Sequence, residues 1–305
     1  MPRIVSVINY KGGVGKTTLT ANIGAELGNR GRRVLLMDLD PQASLTFCFY
    51  TAAQWEAELQ EERTVLQWIA PLLSGDELPP LSEFVVTPPK VNDAIKDSGG
   101  RVDLVASHLG LIDVDQDLAA ELGGSRAQVR SPNFLRVHRM IANALAGEAF
   151  ADYDVILLDC PPNFGMMTRA GIVASDWILV PARPDYLSTL GISYLRGRLS
   201  ELVDDYNRAV ALNAAAVPGI SPEILGVVVT MLQYAGAQPI NAHQANIRGL
   251  DALEIRIFEQ RIRQSNPLFG GTENSLPVVL APAGNAAVQY ELQQLTSEFY
   301  ARIRT

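Results

Sequence analysis

Short continuous runs of apolar and β-branched residues alternate along this chain with longer amphipathic stretches. Six of these runs predict strands, over residues 4–8, 33–37, 102–106, 155–158, 177–180 and 224–229. Helical periodicity predicts helices over residues 17–30, 54–69, 132–146, 166–174, 188–207, 242–264 and 286–303. Strands of nearly continuous Val, Ile and Leu are buried on both faces, which requires helices on both sides of a mostly parallel central sheet. The pattern therefore predicts an α/β fold of three layers.

Two segments interrupt this alternation. Residues 73–90 contain two Pro-Pro pairs and a glycine, which predicts a surface excursion with one short edge strand. Residues 266–277 are rich in turn-forming residues and predict a loop near the last strand. Neither segment has the composition of a linker between independently folded units. We therefore expect residues 1–305 to form a single domain, with a variable segment near residues 232–276.

Composition and charge narrow the class of protein. Hydrophobic residues make up 48% of the 305 residues and charged residues only 19%, which excludes wholesale disorder. The net charge of −8 argues against a surface that binds nucleic acid everywhere, but it allows a local basic patch. Two cysteines cannot form a disulfide framework or a four-ligand zinc site. No apolar run reaches the ~18–20 residues that span a bilayer and no signal peptide is recognisable, so we expect a soluble, cytoplasmic protein.

The sharpest chemical signal is the segment Tyr-Lys-Gly-Gly-Val-Gly-Lys-Thr-Thr at residues 10–18, which follows the first strand and opens the first helix. Its glycines allow the backbone to wrap around anionic oxygens, so that N–H groups and the helix N-terminus bind phosphate. Lys16 adds a positive charge for the β- and γ-phosphates, and the Thr17 hydroxyl is placed to ligate Mg²⁺. The predicted nucleotide-binding residues are Lys11, Gly12, Gly13, Val14, Gly15, Lys16, Thr17 and Thr18.

The loop departs from the usual phosphate-loop pattern in two ways. Tyr10 stands where the first glycine is expected, and a second lysine, Lys11, precedes the glycines. Lys11 is either a solvated loop residue or a second cation beside the γ-phosphate. A cation that acts where charge develops resembles an arginine finger in its role, and Lys11 could supply it across a dimer interface.

Acidic residues follow two further strands. Asp38 and Asp40 follow directly on the second predicted strand and point to the same side by the two-residue period. Asp159 follows the apolar run 155–158, in the manner of a Walker B strand. Because ligands bind at the carboxyl ends of parallel strands, we expect these carboxylates to face the phosphate loop. The predicted catalytic residues are Lys11, Lys16 and Asp40, of which Asp40 orients the attacking water, and the predicted metal-binding residues are Thr17, Asp40 and Asp159.

Four segments together, KGGVGKTT, VLLMDLDPQASLT, YDVILLDCPP and VPARPDYLSTLGI, resemble the ParA branch of the ParA/MinD group of deviant Walker A ATPases. The resemblance implies a P-loop NTPase fold that binds ATP and Mg²⁺ and forms a homodimer in which Lys11 reaches the nucleotide of the other subunit. It also implies non-specific DNA binding in the ATP state, slow hydrolysis, and stimulation by a ParB-like or adaptor protein. The expected role is to move a plasmid, chromosome or protein cargo in a bacterial or archaeal cytoplasm, in association with the nucleoid.

The resemblance leaves the DNA-binding surface undefined. The chain begins at its phosphate loop, so we expect no N-terminal DNA-binding extension, and the Ser-Glu-Ala-Pro run of the family is missing near the C-terminus. The predicted helix 242–264 carries Arg248, Arg256, Arg261 and Arg263 with three acidic residues between them. These arginines are the candidate DNA-binding residues, since a dimer would double the patch. A solvated amphipathic helix explains the same pattern.

Three other function classes stay open. A MinD-like membrane-associated ATPase requires a terminal amphipathic helix with a basic face. Residues 289–305 carry only Arg302 and Arg304 and are more typical of a packed last helix, so we expect no membrane partner. An electron-transfer enzyme with a cluster shared between subunits would use Cys48 and Cys160. A regulatory or defence-system subunit would use the same dimer switch, and nothing in the sequence separates it from a partition ATPase.

Overall fold

A six-stranded sheet of parallel strands lies at the centre of the protein. The computed structural model describes residues 1–121, 133–213, 217–235, 238–240, 243, 246–247, 249–250, 255–269, 275–282 and 285–304. The strands are β1 (Arg3–Val7), β2 (Arg33–Asp38), β3 (Arg101–Val105), β4 (Val155–Asp159), β5 (Trp177–Ala182) and β6 (Glu223–Val229). Their order in the sheet is β3-β2-β4-β1-β5-β6, and all six strand predictions are confirmed to within a few residues.

Helices cover both faces of this sheet. They are α1 (Lys16–Asn29), α2 (Ser44–Phe47), α3 (Ala52–Glu58), α4 (Val65–Leu73), α5 (Pro89–Ala94), α6 (Leu111–Glu121), α7 (Asn133–Leu145), α8 (Met166–Ala174), α9 (Tyr186–Leu212), α10 (Asn266–Phe269) and α11 (Ala286–Arg302). Short 3₁₀ helices at Leu81–Phe84, Lys96–Ser98, Glu148–Phe150 and Val278–Leu280, and a hairpin of β7 (Tyr234–Ala235) and β8 (Gln238–Pro239), complete the described elements.

Alternate residues of β2 show how the three layers are held together. Leu35 and Met37 belong to a hydrophobic cluster that includes α4, α7, α8 and α9. Val34 and Leu36 belong to a second cluster, which includes α1 and α11. Successive side chains of a strand point to opposite faces, so the sheet is buried on both sides. This arrangement confirms the predicted three-layer α/β fold.

The C-terminal segment is a packed helix, as predicted. Four residues on one face of α11 are fully buried: Val288, Leu292, Leu295 and Phe299. Among the described residues, no helix combines the length and the apolar character that crossing a lipid bilayer requires. The loop predicted over residues 266–277 begins with the short helix α10, and residues 270–274 within it lie outside the described part of the chain. A single domain over residues 1–305 remains a prediction.

The helix predicted over residues 54–69 is two helices, α3 and α4, so this prediction is wrong in its middle. Residues 59–64 separate the two helices. The Val65 N–H group donates to the Ala106 carbonyl at 2.8 Å instead of to a helical carbonyl. This bond anchors the start of α4 at the end of β3, a long-range contact that the periodicity of the segment does not reveal.

The prediction of a helix over residues 242–264 is wrong for the second half of that range. Residues 255–264 are not helical and lie beside β6, with a parallel bridge between Ile257 and Val227. The Phe258 N–H group donates to the Val227 carbonyl at 2.9 Å. The outer backbone groups of β6 need hydrogen-bond partners, and this need outweighs the helical periodicity of the segment. Part of the first half of this range lies outside the described part of the chain, namely residues 242, 244, 245, 248 and 251–254.

The proline-rich excursion over residues 73–90 pairs with the sheet at one point. Val86 forms an antiparallel bridge with Leu104 of β3, with both N–H···O distances at 2.8 Å. The indole N–H of Trp68 on α4 donates to the Pro79 carbonyl at 3.1 Å and holds the excursion against that helix. The predicted edge pairing is therefore present, although it is a single bridge rather than a strand.

One buried histidine gives the fold a pH-dependent stability. His138 on α7 is fully buried, its Nδ1–H group donates to the Phe134 carbonyl at 2.9 Å, and its ring stacks on the Phe134 ring at 4.0 Å. Its Nε2 atom has no hydrogen-bond partner among the described residues. Burial lowers the pKa of His138 to about 4, against the smaller opposing effect of the Phe134 hydrogen bond. The histidine is therefore neutral in the folded protein at neutral pH.

We predict that the protein loses stability at His138 as the pH falls from about 6.5, the pKa of an unfolded histidine, towards 4. In this range the unfolded state binds a proton that the folded state excludes, and the loss reaches about 3 kcal/mol at pH 4. Denaturant unfolding at pH 7 and pH 4 should show that a His138→Leu variant loses about 3 kcal/mol less than the wild type. His108→Gln is the control: His108 is partly exposed and burial lowers its pKa less than that of His138, so this variant should lose nearly as much stability as the wild type. Equal losses in the wild type and His138→Leu would contradict the assignment.

Candidate functional site

The phosphate loop lies where three strand ends meet. Strand β4 pairs with both β1 and β2, so that Asp159 lies opposite Val7 on one side and Asp38 on the other. The segments that follow these strands therefore leave the sheet at the same edge. The structure thereby brings together the predicted residues of the loop, Asp159 and Asp40.

The backbone of the loop has the shape of an anion cradle. Gly13 and Gly15 adopt φ angles of 66° and 88°, in the left-handed region that favours glycine. A Cβ atom at Gly12 or Gly13 would meet no atom within 4 Å, so their backbone faces open space. Gly15 also caps α1, whose first turn has neither a side-chain cap nor an acidic residue. The N–H groups at this helix start are thus open to a negatively charged ligand.

Two polar side chains that the sequence did not single out hold the loop in place. The Thr230 hydroxyl, directly after β6, donates to the Val14 carbonyl at 2.8 Å. Asn9 donates through Nδ2 to the Pro181 carbonyl at 2.7 Å and accepts the Lys11 N–H group on Oδ1 at 2.9 Å. Both residues act from the ends of strands near the loop. The only sequence signal for them is a polar residue close after an apolar run.

Lys16 is a nearly buried cation that has no bonded anion among the described residues. Its exposed fraction is 6%, and its ammonium group forms no hydrogen bond or ion pair with any residue that the structure describes. Burial lowers the pKa of Lys16, and the charges of Asp159 and Asp40 oppose this effect. Burying an ammonium group is costly unless an anion neutralises it, so the residues around Lys16 fit a phosphate group.

Thr17 and Asp159 form the metal-binding side of the site. The Thr17 hydroxyl donates to Asp159 Oδ2 at 2.7 Å. Asp159 is fully buried, which raises its pKa to about 7, whereas the Thr17 hydrogen bond and the Lys16 charge lower it. Hydroxyl and carboxylate oxygens suit Mg²⁺. The described residues contain no cluster of three or more His, Cys, Asp or Glu side chains that would hold a metal alone, so these two oxygens need further ligands such as phosphate oxygens.

The two carboxylates at the end of β2 have different surroundings. Asp38 is fully buried, and its Oδ2 atom accepts hydrogen bonds from the Thr46 N–H and hydroxyl groups at 2.8 and 2.7 Å. Burial and then the neighbouring Asp159 raise the pKa of Asp38 well above its ordinary value. Asp40 keeps an exposed fraction of 8%, and its Oδ1 atom accepts the Gln42 N–H group at 3.0 Å. Of the two, only Asp40 reaches the solvent.

Lys11 is held in an ion pair at the start of α9. Its Nζ atom lies 2.5 Å from Asp185 Oδ2. Asp185 also caps α9, since its Oδ1 atom accepts the Ser188 N–H group at 2.9 Å. Burial alone would raise the pKa of Asp185, but these two hydrogen bonds lower it on balance. The two loop lysines therefore have separate surroundings, with Lys16 beside Asp159 and Lys11 at a helix start.

Neither cysteine is placed to share a metal cluster with a second subunit. Cys160 is fully buried after β4, and burial raises the pKa of its thiol to about 12. Cys48 is half-buried at the end of α2. A shared cluster needs exposed thiolates on one face, so the geometry does not support an electron-transfer centre.

The three candidate DNA-binding arginines that the structure describes do not lie on a helix. Arg256 is exposed and Arg261 is partly buried, both in the non-helical segment beside β6. Arg263 in the same segment forms an ion pair with Glu291 at 2.7 Å. Arg248 lies outside the described residues. Because Glu291 neutralises Arg263, the positive charge of the described segment rests on Arg256 and Arg261.

A family model described as an AAA domain matches residues 2–212 of this chain. Soj, the sporulation initiation inhibitor protein of Bacillus subtilis, is 29% identical over 196 residues, which cover 64% of this chain and 64% of Soj. An uncharacterised protein of Pseudomonas putida is 32% identical over 213 residues, which cover 69% of this chain and 65% of that protein. The chain spans about half to two thirds of the length of the curated relatives it matches.

Solved structures share the fold over most of the chain. McdA from Cyanothece has a TM-score of 0.69 at 20% identity, covering 98% of this chain and 100% of McdA. A plasmid partition protein from Borrelia burgdorferi has a TM-score of 0.64 at 16% identity, covering 99% and 100%. Cobyrinic acid a,c-diamide synthase from Mycobacterium smegmatis, with bound ADP and magnesium, has a TM-score of 0.60 at 24% identity, covering 88% and 89%.

These likenesses agree with the geometry of the site. The solved structures confirm the P-loop NTPase fold. The family match includes the phosphate loop and both acidic strand ends within residues 2–212. Together with the relationship to Soj, the match places this chain in the AAA domain family, among the P-loop NTPases of the ParA type.

Proposed function

We propose that this protein is a switch that binds ATP with Mg²⁺, dimerises in that state, hydrolyses ATP slowly and moves a plasmid, chromosome or protein cargo. The observation that carries the proposal is the nearly buried Lys16 beside the 2.7 Å pair of Thr17 and Asp159. A cation and two oxygen ligands side by side fit a magnesium-bound phosphate. Likeness to a plasmid partition protein supports the role, and neighbour complexes with ADP or an ATP analogue and magnesium support the ligand.

Each residue of the site has a distinct task in this proposal. Lys16 neutralises the charge of the β- and γ-phosphates, while the loop N–H groups hold their oxygens. Thr17 and Asp159 hold Mg²⁺, which, when bound, neutralises charge that develops on the phosphate oxygens. Asp40 orients the attacking water from the edge of the site, where its carboxylate keeps contact with solvent.

An exposed apolar surface beside the phosphate loop supports dimerisation. Tyr186, Leu187, Leu190 and Tyr194 lie on the first turns of α9 with exposed fractions from 50% to 68%, and we call them the α9 patch. The Tyr194 ring lies 5.0 Å from the ring of Tyr10 in the loop. Exposed apolar surface of this kind is typical of protein interfaces. A second copy that covers the α9 patch would approach the nucleotide from the same edge.

The position of Lys11 fits a role in such a dimer. Its partner Asp185 directly precedes the α9 patch, and both side chains of the ion pair are about a third exposed. An exposed ion pair of this kind is weak and open to competition by a more strongly charged anion. In the proposed dimer, Lys11 leaves Asp185 and binds the phosphates of the other subunit's nucleotide.

We also propose non-specific DNA binding in the ATP state and stimulation by a ParB-like or adaptor protein, both implied by the ParA family. The support for a DNA surface rests on Arg256 and Arg261. A second copy would double this charge, and binding should weaken as salt rises. A cytoplasmic location with association to the nucleoid follows from this proposal. The packed helix α11 does not favour a membrane partner.

We expect Lys16→Ala to weaken the binding of a non-hydrolysable ATP analogue by at least about 100-fold, because the phosphates lose the nearly buried cation that neutralises them. Isothermal titration calorimetry in the presence of Mg²⁺ measures this. Lys96→Ala is the matched control. Because Lys96 is exposed, this variant should bind the analogue as tightly as the wild type does. Tight binding by Lys16→Ala would exclude the assignment of the phosphate loop.

Asp40→Ala should bind ATP within about threefold of the wild type but release phosphate at least about 100-fold more slowly, because the attacking water is no longer oriented. The ATP-bound dimer should accumulate as a result. Phosphate release and light scattering give the two readouts. The control is Asp97→Ala, which removes an exposed carboxylate. An unchanged rate in Asp40→Ala would refute the role of this residue.

Sizing the protein by light scattering with ADP and with ATP, each with and without DNA, tests the dimer. The wild type should be a dimer and shift DNA only with ATP, and Lys11→Ala should remain monomeric and leave DNA free while still binding ATP. An Asp185→Asn variant loses the ion pair but keeps an oxygen to cap α9, so it should still dimerise. Dimerisation of Lys11→Ala with ATP would contradict the proposed exchange.

A further inference from the structure

The backbone of Asp40 is held by a closed ring of hydrogen bonds. Asp38 accepts the Asp40 N–H group on Oδ1 at 3.3 Å and the Thr46 hydroxyl on Oδ2 at 2.7 Å. The Thr46 hydroxyl in turn accepts the Ser107 N–H group at 2.9 Å, and the Ser107 hydroxyl donates to the Asp40 carbonyl at 2.6 Å. The cycle joins the end of β2, helix α2 and the second residue after β3. We call these four residues the Asp40 ring.

The Asp40 ring is buried almost completely. Asp38, Thr46 and Ser107 have no exposed surface, and Asp40 has very little. Hydrogen bonds in such surroundings are strong, and a network with every member satisfied is rigid. Ser107 is fixed from a further side, because the Trp55 indole N–H donates to its carbonyl at 3.1 Å. The peptide groups on both sides of the Asp40 Cα atom are therefore immobilised.

We propose that Ser107 and Thr46 are positioning residues that set the place of the Asp40 carboxylate for hydrolysis. The inference rests on the proposed role of Asp40 in orienting the attacking water. Both hydroxyls are fully buried, and among the described residues their hydrogen bonds go to members of the Asp40 ring rather than to the phosphate loop. Small displacements of a group that positions a reactant cost much rate and little binding. Loss of either hydroxyl therefore slows turnover without weakening nucleotide binding.

Single-turnover hydrolysis of Mg²⁺-ATP by the full chain tests this inference. Ser107→Ala should lower the rate about 10-fold while ATP affinity stays within about twofold of the wild type. Ser175→Ala is the control, because it removes a buried hydroxyl that donates to the Gly171 carbonyl at 2.8 Å and should keep the wild-type rate. Thr46→Val opens the same ring from the other side and should give the same loss of rate. It also provides the test if Ser107→Ala does not fold.

A double variant separates positioning of Asp40 from a general effect on the fold. If Ser107 acts only through Asp40, Ser107→Ala combined with Asp40→Ala should hydrolyse ATP at the rate of Asp40→Ala alone. A hydrolysis rate of the double variant below that of Asp40→Ala would overturn the inference and leave the role of Asp40 intact. The same holds if Ser107→Ala and Thr46→Val both hydrolyse ATP at the rate of the Ser175→Ala control. A wild-type rate in Asp40→Ala would overturn that role and this inference together.

Discussion

The pairing of β4 between β1 and β2 is the constraint on which the site depends. The register sets Asp159 opposite Val7 and Asp38, so the three strands end at the same level of the sheet. Since side chains alternate between the faces of a strand, a shift of one residue in β4 would turn Asp159 to the other face and break its bond to Thr17. The hydrophobic contacts on both faces of the sheet therefore also fix the chemistry at its edge.

Burial of charged side chains at this edge of the sheet costs free energy that a bound ligand can recover. Burial favours the neutral forms of Asp38 and Asp159 and of Lys16, so their pKa values move towards each other. The charges of the buried carboxylates and of the Lys16 ammonium group therefore do not fully neutralise one another. A metal ion bound to phosphates carries both signs of charge in one ligand. Binding such a ligand would compensate the carboxylates and the ammonium group at once, and would stabilise the fold through the same contacts.

The sequence predicts those features that depend on neighbours along the chain. Strands buried on both faces appear as continuous apolar runs, and the phosphate loop is a local motif, so both are recognisable. The supports of the site depend on distant residues instead: Thr230 and Asn9 hold the loop from other strands, and Ser107 lies far along the chain from Asp40. Residues 255–264 have a helical period but adopt another structure, because β6 offers hydrogen bonds that periodicity does not encode.

Both outer strands of the sheet are covered by other parts of the chain. Residues 255–264 lie along β6, and Val86 pairs with β3. Among the described residues, the central sheet therefore presents little open backbone that a strand of another molecule could extend. In the proposed dimer, association between copies would then rely on contacts of side chains. Such contacts can be made and broken without unfolding any strand, so a dimer formed through them would be reversible.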